Sequence, residues 1–111
     1  MDIQELRREA QTMQPQLTAD RRRLHRNPEA GAVLPETVAY VKERLTEMGY
    51  HPQELGGGLT ATVTGTDTGR CILLRADFDA LPMEEINDLP FCSKRKASHM
   101  CGHDTHAAML L

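Results

Sequence analysis

Apolar residues near the start of the chain recur at helical spacing. The members of this stripe follow one another at intervals of three and four residues: Ile3, Leu6, Ala10, Met13 and Leu17. Such spacing predicts an amphipathic helix. Pro15 interrupts the pattern, and proline suits the first turn of a helix better than its interior. We therefore predict a short first helix and a second helix that begins near Pro15.

The end of that second helix and the whole of the next helix have clear signals. The residue before a proline is disfavoured in a helix, so Asn27 and Pro28 predict the end of the second one. A third helix is predicted from Pro35 to Met48, because proline stands at its start and Gly49 at its end. Its apolar stripe comprises Val38, Val41, Leu45 and Met48.

The pattern after this helix is typical of strands. Tyr50 to Leu55 and Leu59 to Thr64 predict two short strands. The glycines at 56–58 lack the lysine and helix start of a phosphate-binding loop, so they predict a flexible turn. Thr66 to Gly69 has the composition of a second turn. Cys71 to Ala76 is a nearly continuous apolar run, which predicts a central strand buried on both faces.

This order of elements predicts an α/β fold with a helix-covered mixed sheet. With 111 residues the chain can bury one modest core. Its 13 basic and 16 acidic side chains give a net charge of −3, which favours neither a nucleic-acid nor a membrane partner. Three cysteines without framework spacing fit a reducing compartment, so we expect a cytoplasmic protein.

The first candidate chemical cluster follows the predicted central strand. Asp77 and Asp79 are two residues apart, so an extended backbone would direct both side chains to one side. In open α/β sheets, functional sites form beyond the carboxyl ends of strands. A solvated strand end, with Arg75 as the ion-pair partner, is the alternative interpretation.

The second cluster lies near the end of the sequence. His99, Cys101 and His103 alternate, so an extended segment would direct all three the same way, and Gly102 would allow close approach to a ligand. Thiolate and imidazole suit zinc and other first-row divalent ions. The alternative is a helix start with incidental histidines.

Other polar residues near these clusters have simpler interpretations. Asp104 is expected to cap a helix that runs to Leu111, with His106 in its first turn. Cys71 is expected in the core, and His25 as a cation at a helix end. Cys92 is either an extra metal ligand or a surface thiol. The pair Glu84 and Glu85 is expected to be solvated.

Four segments together resemble the metal-dependent N-acyl-amino-acid amidohydrolases, a family that includes aminoacylases, hippurate hydrolases and indole-acetyl-amino-acid hydrolases. In chain order they are LHRNPE (Leu24 to Glu29), ETVAYVKERLTEMGY (Glu36 to Tyr50), LRADFDALPMEE (Leu74 to Glu85) and HMCGHDTHAAMLL (His99 to Leu111). RADFDALP followed about twenty residues later by CGHD is the specific part of the match.

The resemblance implies roles for particular residues. Cys101 and His103 correspond to metal ligands, and Cys101 takes the position that can bridge two ions. Asp79 corresponds to an aspartate that supports and orients the site. Asp77 stands where related peptidases carry a metal-binding histidine, and its role stays open. The general-base glutamate and the further ligands of the family would lie beyond Leu111.

The resemblance also implies a setting for the chain. Residues 1–111 would be the N-terminal fragment of a zinc-peptidase-like catalytic domain, without the lid and dimerisation domain of the family. A complete site would hold two divalent ions (manganese, zinc, cobalt or nickel) and take a small N-acyl amino acid, in a homodimer. We expect the chain alone to be inactive. The alternatives are a small non-catalytic metal-binding module, using Cys92, Cys101, His103 and His106, and a truncated product without function.

Overall fold

The structure, a computed structural model, describes residues 1–66 and 69–111. Its elements in chain order are α1 (Ile3–Arg26), α2 (Pro35–Glu47), β1 (Gln53–Leu55), β2 (Gly58–Thr60) and α3 (His103–Leu110). Between β2 and α3 the described residues form isolated bridges and turns rather than a regular ladder. None of the helices in these two ranges is long and apolar enough to cross a membrane.

Helix α1 is continuous through Pro15, so the prediction of two separate helices is wrong. A proline inside a helix removes one hydrogen bond and costs about 3 kcal/mol. Good helix formers on both sides, such as Met13 and Gln14 before it and Gln16 and Leu17 after it, favour helix around the proline. The predicted end at Asn27 is confirmed. The apolar stripe of the first half is exposed, as Ile3 and Met13 show.

Helix α2 confirms its prediction to within one residue and provides one wall of the core. Glu29 accepts a hydrogen bond from the backbone N–H of Thr37 at 2.6 Å, which satisfies a free donor of the first turn. Val41 packs with Leu24 of α1 and Ala107 of α3, so residues from all three helices meet in the core. The partly buried hydrophobic residues around them are Tyr40, Leu45, Leu59, Phe78 and Leu111.

Strands β1 and β2 form an antiparallel hairpin in which Gln53 pairs with Thr60. The two residues between the strands, Gly56 and Gly57, have φ values of +57° and +85°. Positive φ at both positions is what a tight two-residue hairpin requires, so the glycine-rich turn is confirmed. The second strand is shorter than predicted and ends at Thr60.

The predicted central strand at 71–76 is not formed, and this prediction is wrong. Cys71, expected in the core, is exposed. Leu73 is 90% exposed and Ile72 83%. A β-strand needs hydrogen bonds from a neighbouring strand, and the described residues place none beside this segment. The turn predicted at 66–69 includes Asp67 and Thr68, which lie outside the described residues.

Backbone bridges hold the segment after residue 76 against the helices. Ala80 donates from its N–H to the carbonyl of Glu29 at 2.8 Å and forms a parallel bridge with Ala30. Leu81 and Ser98 exchange two hydrogen bonds, each 3.0 Å long. The Ser98 hydroxyl donates to the carbonyl of Met83 at 2.7 Å. These contacts bring the aspartates of the first cluster next to α3.

Candidate metal centre

The best-defined side chain of the site is His103, the first residue of α3. Gly102 precedes it with φ +91°, a left-handed conformation that glycine adopts without strain. The Nδ1 atom of His103 lies 2.9 Å from the carbonyl oxygen of Asp79 and 2.9 Å from its Oδ1. Both partners only accept hydrogen bonds, so Nδ1 must carry the proton. A neutral His103 therefore presents a free lone pair at Nε2.

That Nε2 atom faces Asp77, the other aspartate of the first cluster. The distance from His103 Nε2 to Asp77 Oδ2 is 3.5 Å. The second oxygen of Asp77, Oδ1, lies 2.9 Å from Nδ1 of His106. One ligand atom from each of Asp77, His103 and His106 can be chosen so that all three lie within 4.8 Å of one another. The hydrogen bond from His106 holds the pKa of Asp77 below its usual value, so the carboxylate is charged at neutral pH.

The structure separates the members of the predicted second cluster. Cys101 is exposed on the loop before α3 and does not belong to the three-residue group. His99 is buried, and within the described ranges neither of its ring nitrogens has a hydrogen-bond partner. Burial holds the pKa of His99 below its usual value. The predicted extended alternation is wrong, because the backbone bends at Cys101 and turns into α3.

A buried polar network lies behind the site, and the sequence interpretation missed it. His25 is buried between two carboxylates: its Nδ1 lies 2.7 Å from Oδ2 of Asp104, and its Nε2 lies 2.9 Å from Oε1 of Glu85. Arg21 Nε lies 2.9 Å from the same oxygen of Asp104, as an ion pair without hydrogen-bond alignment. Glu85 also accepts from the N–H of Ser93 at 2.7 Å.

This network corrects two sequence interpretations and extends a third. Asp104 does not cap α3; it is the second residue of the helix and completely buried. The side chain of Glu85 is buried rather than solvated. His25 lies in the last turn of α1 as predicted, but both of its ring nitrogens bond to carboxylates, which the sequence interpretation did not include. The available signal was the spacing of Arg21 and His25, which places both on one face of α1.

The donor atoms at this site fit a divalent metal ion. His103 offers a neutral nitrogen whose orientation is fixed by Asp79, which is the usual arrangement of a histidine ligand. Asp77 offers a carboxylate oxygen next to this nitrogen. Cys101 offers an exposed thiol and precedes His103 by two residues in the sequence. Imidazole, carboxylate and thiolate together suit zinc and its neighbours among the transition metals.

Comparison with known proteins finds a deacetylase and an amidohydrolase that are similar in sequence. No family model matches the sequence. The chain is 46% identical over 103 residues to the N-acetyl-L-cysteine deacetylase of Bacillus subtilis, a match that covers 90% of this chain and 25% of that protein. It is 36% identical over 116 residues to the N-acyl-L-amino acid amidohydrolase of Geobacillus stearothermophilus, covering 100% of this chain and 31% of that protein.

A solved structure extends the similarity to the fold. A dinuclear metal-binding peptidase of the M20 family from Bacillus subtilis superimposes with a TM-score of 0.83 at 36% identity, covering 88% of this chain and 28% of that one. Over most of its own length the chain is therefore similar to amidohydrolases of N-acyl amino acids and to a metal-binding peptidase. It spans between a quarter and a third of the length of these relatives. The α/β character of the fold follows from the same superposition, although the described residues form only one small sheet.

Proposed function

We propose that this chain supplies part of the metal site of an amidohydrolase that cleaves the amide bond of N-acyl amino acids. Within that enzyme, residues 1–111 would belong to the catalytic domain. The observation that carries the proposal is His103, held by Asp79 through Nδ1 so that Nε2 is free for an ion. The names of the relatives, a deacetylase of N-acetyl-cysteine and an amidohydrolase of N-acyl amino acids, support the substrate class.

Cys101 and His103 are the proposed ligands, and Asp79 is the residue that supports them. A divalent ion held there would polarise the carbonyl of the amide and lower the pKa of bound water. Asp79 keeps the proton on Nδ1 of His103, so the metal-facing nitrogen stays basic. The buried network around Asp104 fixes the first turn of α3, and with it the position of His103.

The remaining features of the complete enzyme are proposals from the family. We propose a cytoplasmic homodimer with a small-molecule substrate and with manganese, zinc, cobalt or nickel as the ion. The matched motifs contain no residue that corresponds to the general-base glutamate of the family. We therefore expect the 111-residue chain to hydrolyse no N-acetyl or N-benzoyl amino acid at a measurable rate, since such catalysis needs a positioned base.

The direct test is a cobalt titration of the 111-residue chain, followed by absorption. A thiolate ligand gives a charge-transfer band, which should appear in the wild type and disappear in Cys101→Ser. His103→Gln should weaken binding strongly. Cys92→Ser is the matched control, because Cys92 is a partly buried thiol outside the three-residue group. This control should keep the full band.

Two outcomes would overturn the proposed ligands. Equal bands in the wild type and in Cys101→Ser would remove the thiolate from the site. Loss of the band in Cys92→Ser would favour the alternative of a small metal-binding module, because only that function needs Cys92. Binding should also weaken as the pH falls, since thiol and imidazole must be deprotonated to coordinate.

A further inference from the structure

We infer that Asp77 is an additional metal ligand, which binds the same ion as His103 through Oδ2, and that His106 is the residue that holds Asp77 in place. The inference rests on the proposed metal site and adds to it a carboxylate ligand that the sequence left open. It is carried by the arrangement of the four side chains Asp77, Asp79, His103 and His106.

The first step concerns two atoms that face each other. The proton on Nδ1 of His103 is fixed by its two bonds to Asp79, so Nε2 carries a lone pair. Oδ2 of Asp77, a carboxylate oxygen, lies 3.5 Å from that Nε2 atom. Two electron-rich atoms at this separation repel each other. A second proton on His103 or a metal ion bound by both atoms would turn this repulsion into attraction.

The distance discriminates between the proton and the ion. A charged N–H donor and a carboxylate oxygen approach to about 2.7–2.9 Å. Two ligands bound to one tetrahedral zinc at about 2.0–2.2 Å are themselves about 3.3–3.6 Å apart. The observed 3.5 Å between His103 Nε2 and Asp77 Oδ2 matches the shared ion and exceeds the hydrogen bond by more than half an ångström.

The second step assigns His106. Its Nδ1 lies 2.9 Å from Oδ1 of Asp77, which is hydrogen-bond distance and shorter than the separation of two ligands. His106 therefore donates to one oxygen of Asp77 and leaves the other oxygen, Oδ2, directed at His103. The pair mirrors the first one, in which Asp79 holds His103. His103 and Asp77 thus each have one residue that fixes their orientation, as is usual around protein metals.

A gain of signal tests the position directly. In a Cys101→Ser background, Asp77→Cys places a thiol at the proposed ligand position. Cobalt should then give a thiolate charge-transfer band that the Cys101→Ser parent lacks. Asp88→Cys in the same background is the matched control, because Asp88 is an exposed acidic residue in the same connecting segment. It should give no band.

Affinity measurements separate the ligand from its holder. Asp77→Asn keeps an oxygen acceptor for His106 but removes the charge, and it should weaken cobalt binding more than His106→Gln does. His106→Gln removes only the holding residue, and a loss of roughly 10-fold to 100-fold is expected. Circular dichroism of each variant checks that α3 is retained.

The outcomes distinguish this inference from the proposed metal site. If Asp77→Cys gives no band, or if Asp77→Asn binds cobalt as tightly as the wild type while His103→Gln does not, Asp77 is not a ligand and the proposed site survives. If His103→Gln also leaves cobalt binding unchanged, or if the wild type binds no cobalt, the inference on Asp77 and the proposed metal site are both wrong. If His106→Gln weakens binding as much as Asp77→Asn, His106 is itself a ligand and its assigned role is overturned.

Discussion

Replacing His25 with leucine should destabilise the fold strongly. The substitution places an apolar side chain of similar size at a position that is 3% exposed. It removes two hydrogen bonds, one to Asp104 at 2.7 Å and one to Glu85 at 2.9 Å. Both carboxylates are fully buried, so neither can turn to bulk water for a replacement donor.

The size of the effect follows from what the two carboxylates retain. Hydrogen bonds to charged groups contribute about 1.5–3 kcal/mol each, and removing one partner of a buried ion pair costs about 3–5 kcal/mol. Asp104 keeps Arg21, and Glu85 keeps the N–H of Ser93. These contacts limit the loss, so we expect the free energy of unfolding to fall by about 3–5 kcal/mol. Small domains have roughly 5–15 kcal/mol in total, so this variant should be close to unfolding.

Urea unfolding followed by circular dichroism measures this change, at a protein concentration where sedimentation shows monomers. His51→Leu is the matched control, because His51 is exposed, and it should change stability by less than about 0.5 kcal/mol. The double variant His25→Leu, Glu85→Gln should lose less than the sum of its single variants, because the buried charge is gone. A His25→Leu chain as stable as the wild type would refute the reasoning.

The remaining predictions concern the pH dependence of stability, the self-association of the chain and the helical content of α1. Burial raises the pKa of Glu85, but the hydrogen bonds from His25 and Ser93 have the larger effect and hold this pKa below its usual 4.5. The charged Glu85 therefore stabilises the fold above about pH 4.5, and this contribution is lost as the pH falls through the lowered pKa. Lowering the pH from about 7 to about 3 should reduce the urea midpoint, and Glu85→Gln should flatten that part of the profile. Leu73 is 90% exposed in an apolar run and should promote self-association of the chain. Leu73→Lys should therefore reduce light scattering at equal protein concentration. Unchanged scattering would show that this surface does not drive self-association. Pro15→Ala should increase the helical signal at 222 nm, because it removes a cost of about 3 kcal/mol inside α1; an unchanged signal would mean that Pro15 costs nothing there.

The elements that the sequence predicted well depend on local signals. Helix α2 begins with Pro35 and is followed by Gly49, and its stripe buries Val38 and Val41 as the periodicity indicates. The hairpin turn depends on Gly56 and Gly57, whose freedom at positive φ is a property of the residue type. Signals of this kind act within a few residues, so a single sequence contains them in full.

The wrong predictions depend on partners far along the chain. The apolar run at 71–76 reads as a buried strand, yet burial and pairing depend on strands elsewhere, and the described residues provide none beside it. The sequence predicted His25 only as a cation at a helix end, because its partners, Asp104 and Glu85, are 79 and 60 residues away. No pattern within a few residues of His25 predicts contacts over such a distance in the sequence. The motif match located the segments of the site, but not the bonds between them.

Helix α3 shows how one short motif serves both the site and the core. His103 and His106 are three residues apart, so they share a face of α3, and Asp77 lies next to both of them. Asp104 is rotated by about 100° from His103 and faces α1, as do the buried Ala107 and Ala108.

The small side chains on that second face let α1 approach closely enough for His25 to reach Asp104 at 2.7 Å. The proposed ligand His103 and the buried Asp104 are adjacent in sequence, so a movement of Asp104 should also move His103. Variants that disturb the buried network without touching the site should therefore weaken metal binding as well as stability. In His25→Leu, cobalt affinity measured on the fraction that remains folded should fall, whereas His51→Leu should leave it unchanged. Equal affinities in the two folded variants would show that the position of His103 depends on Asp79 alone.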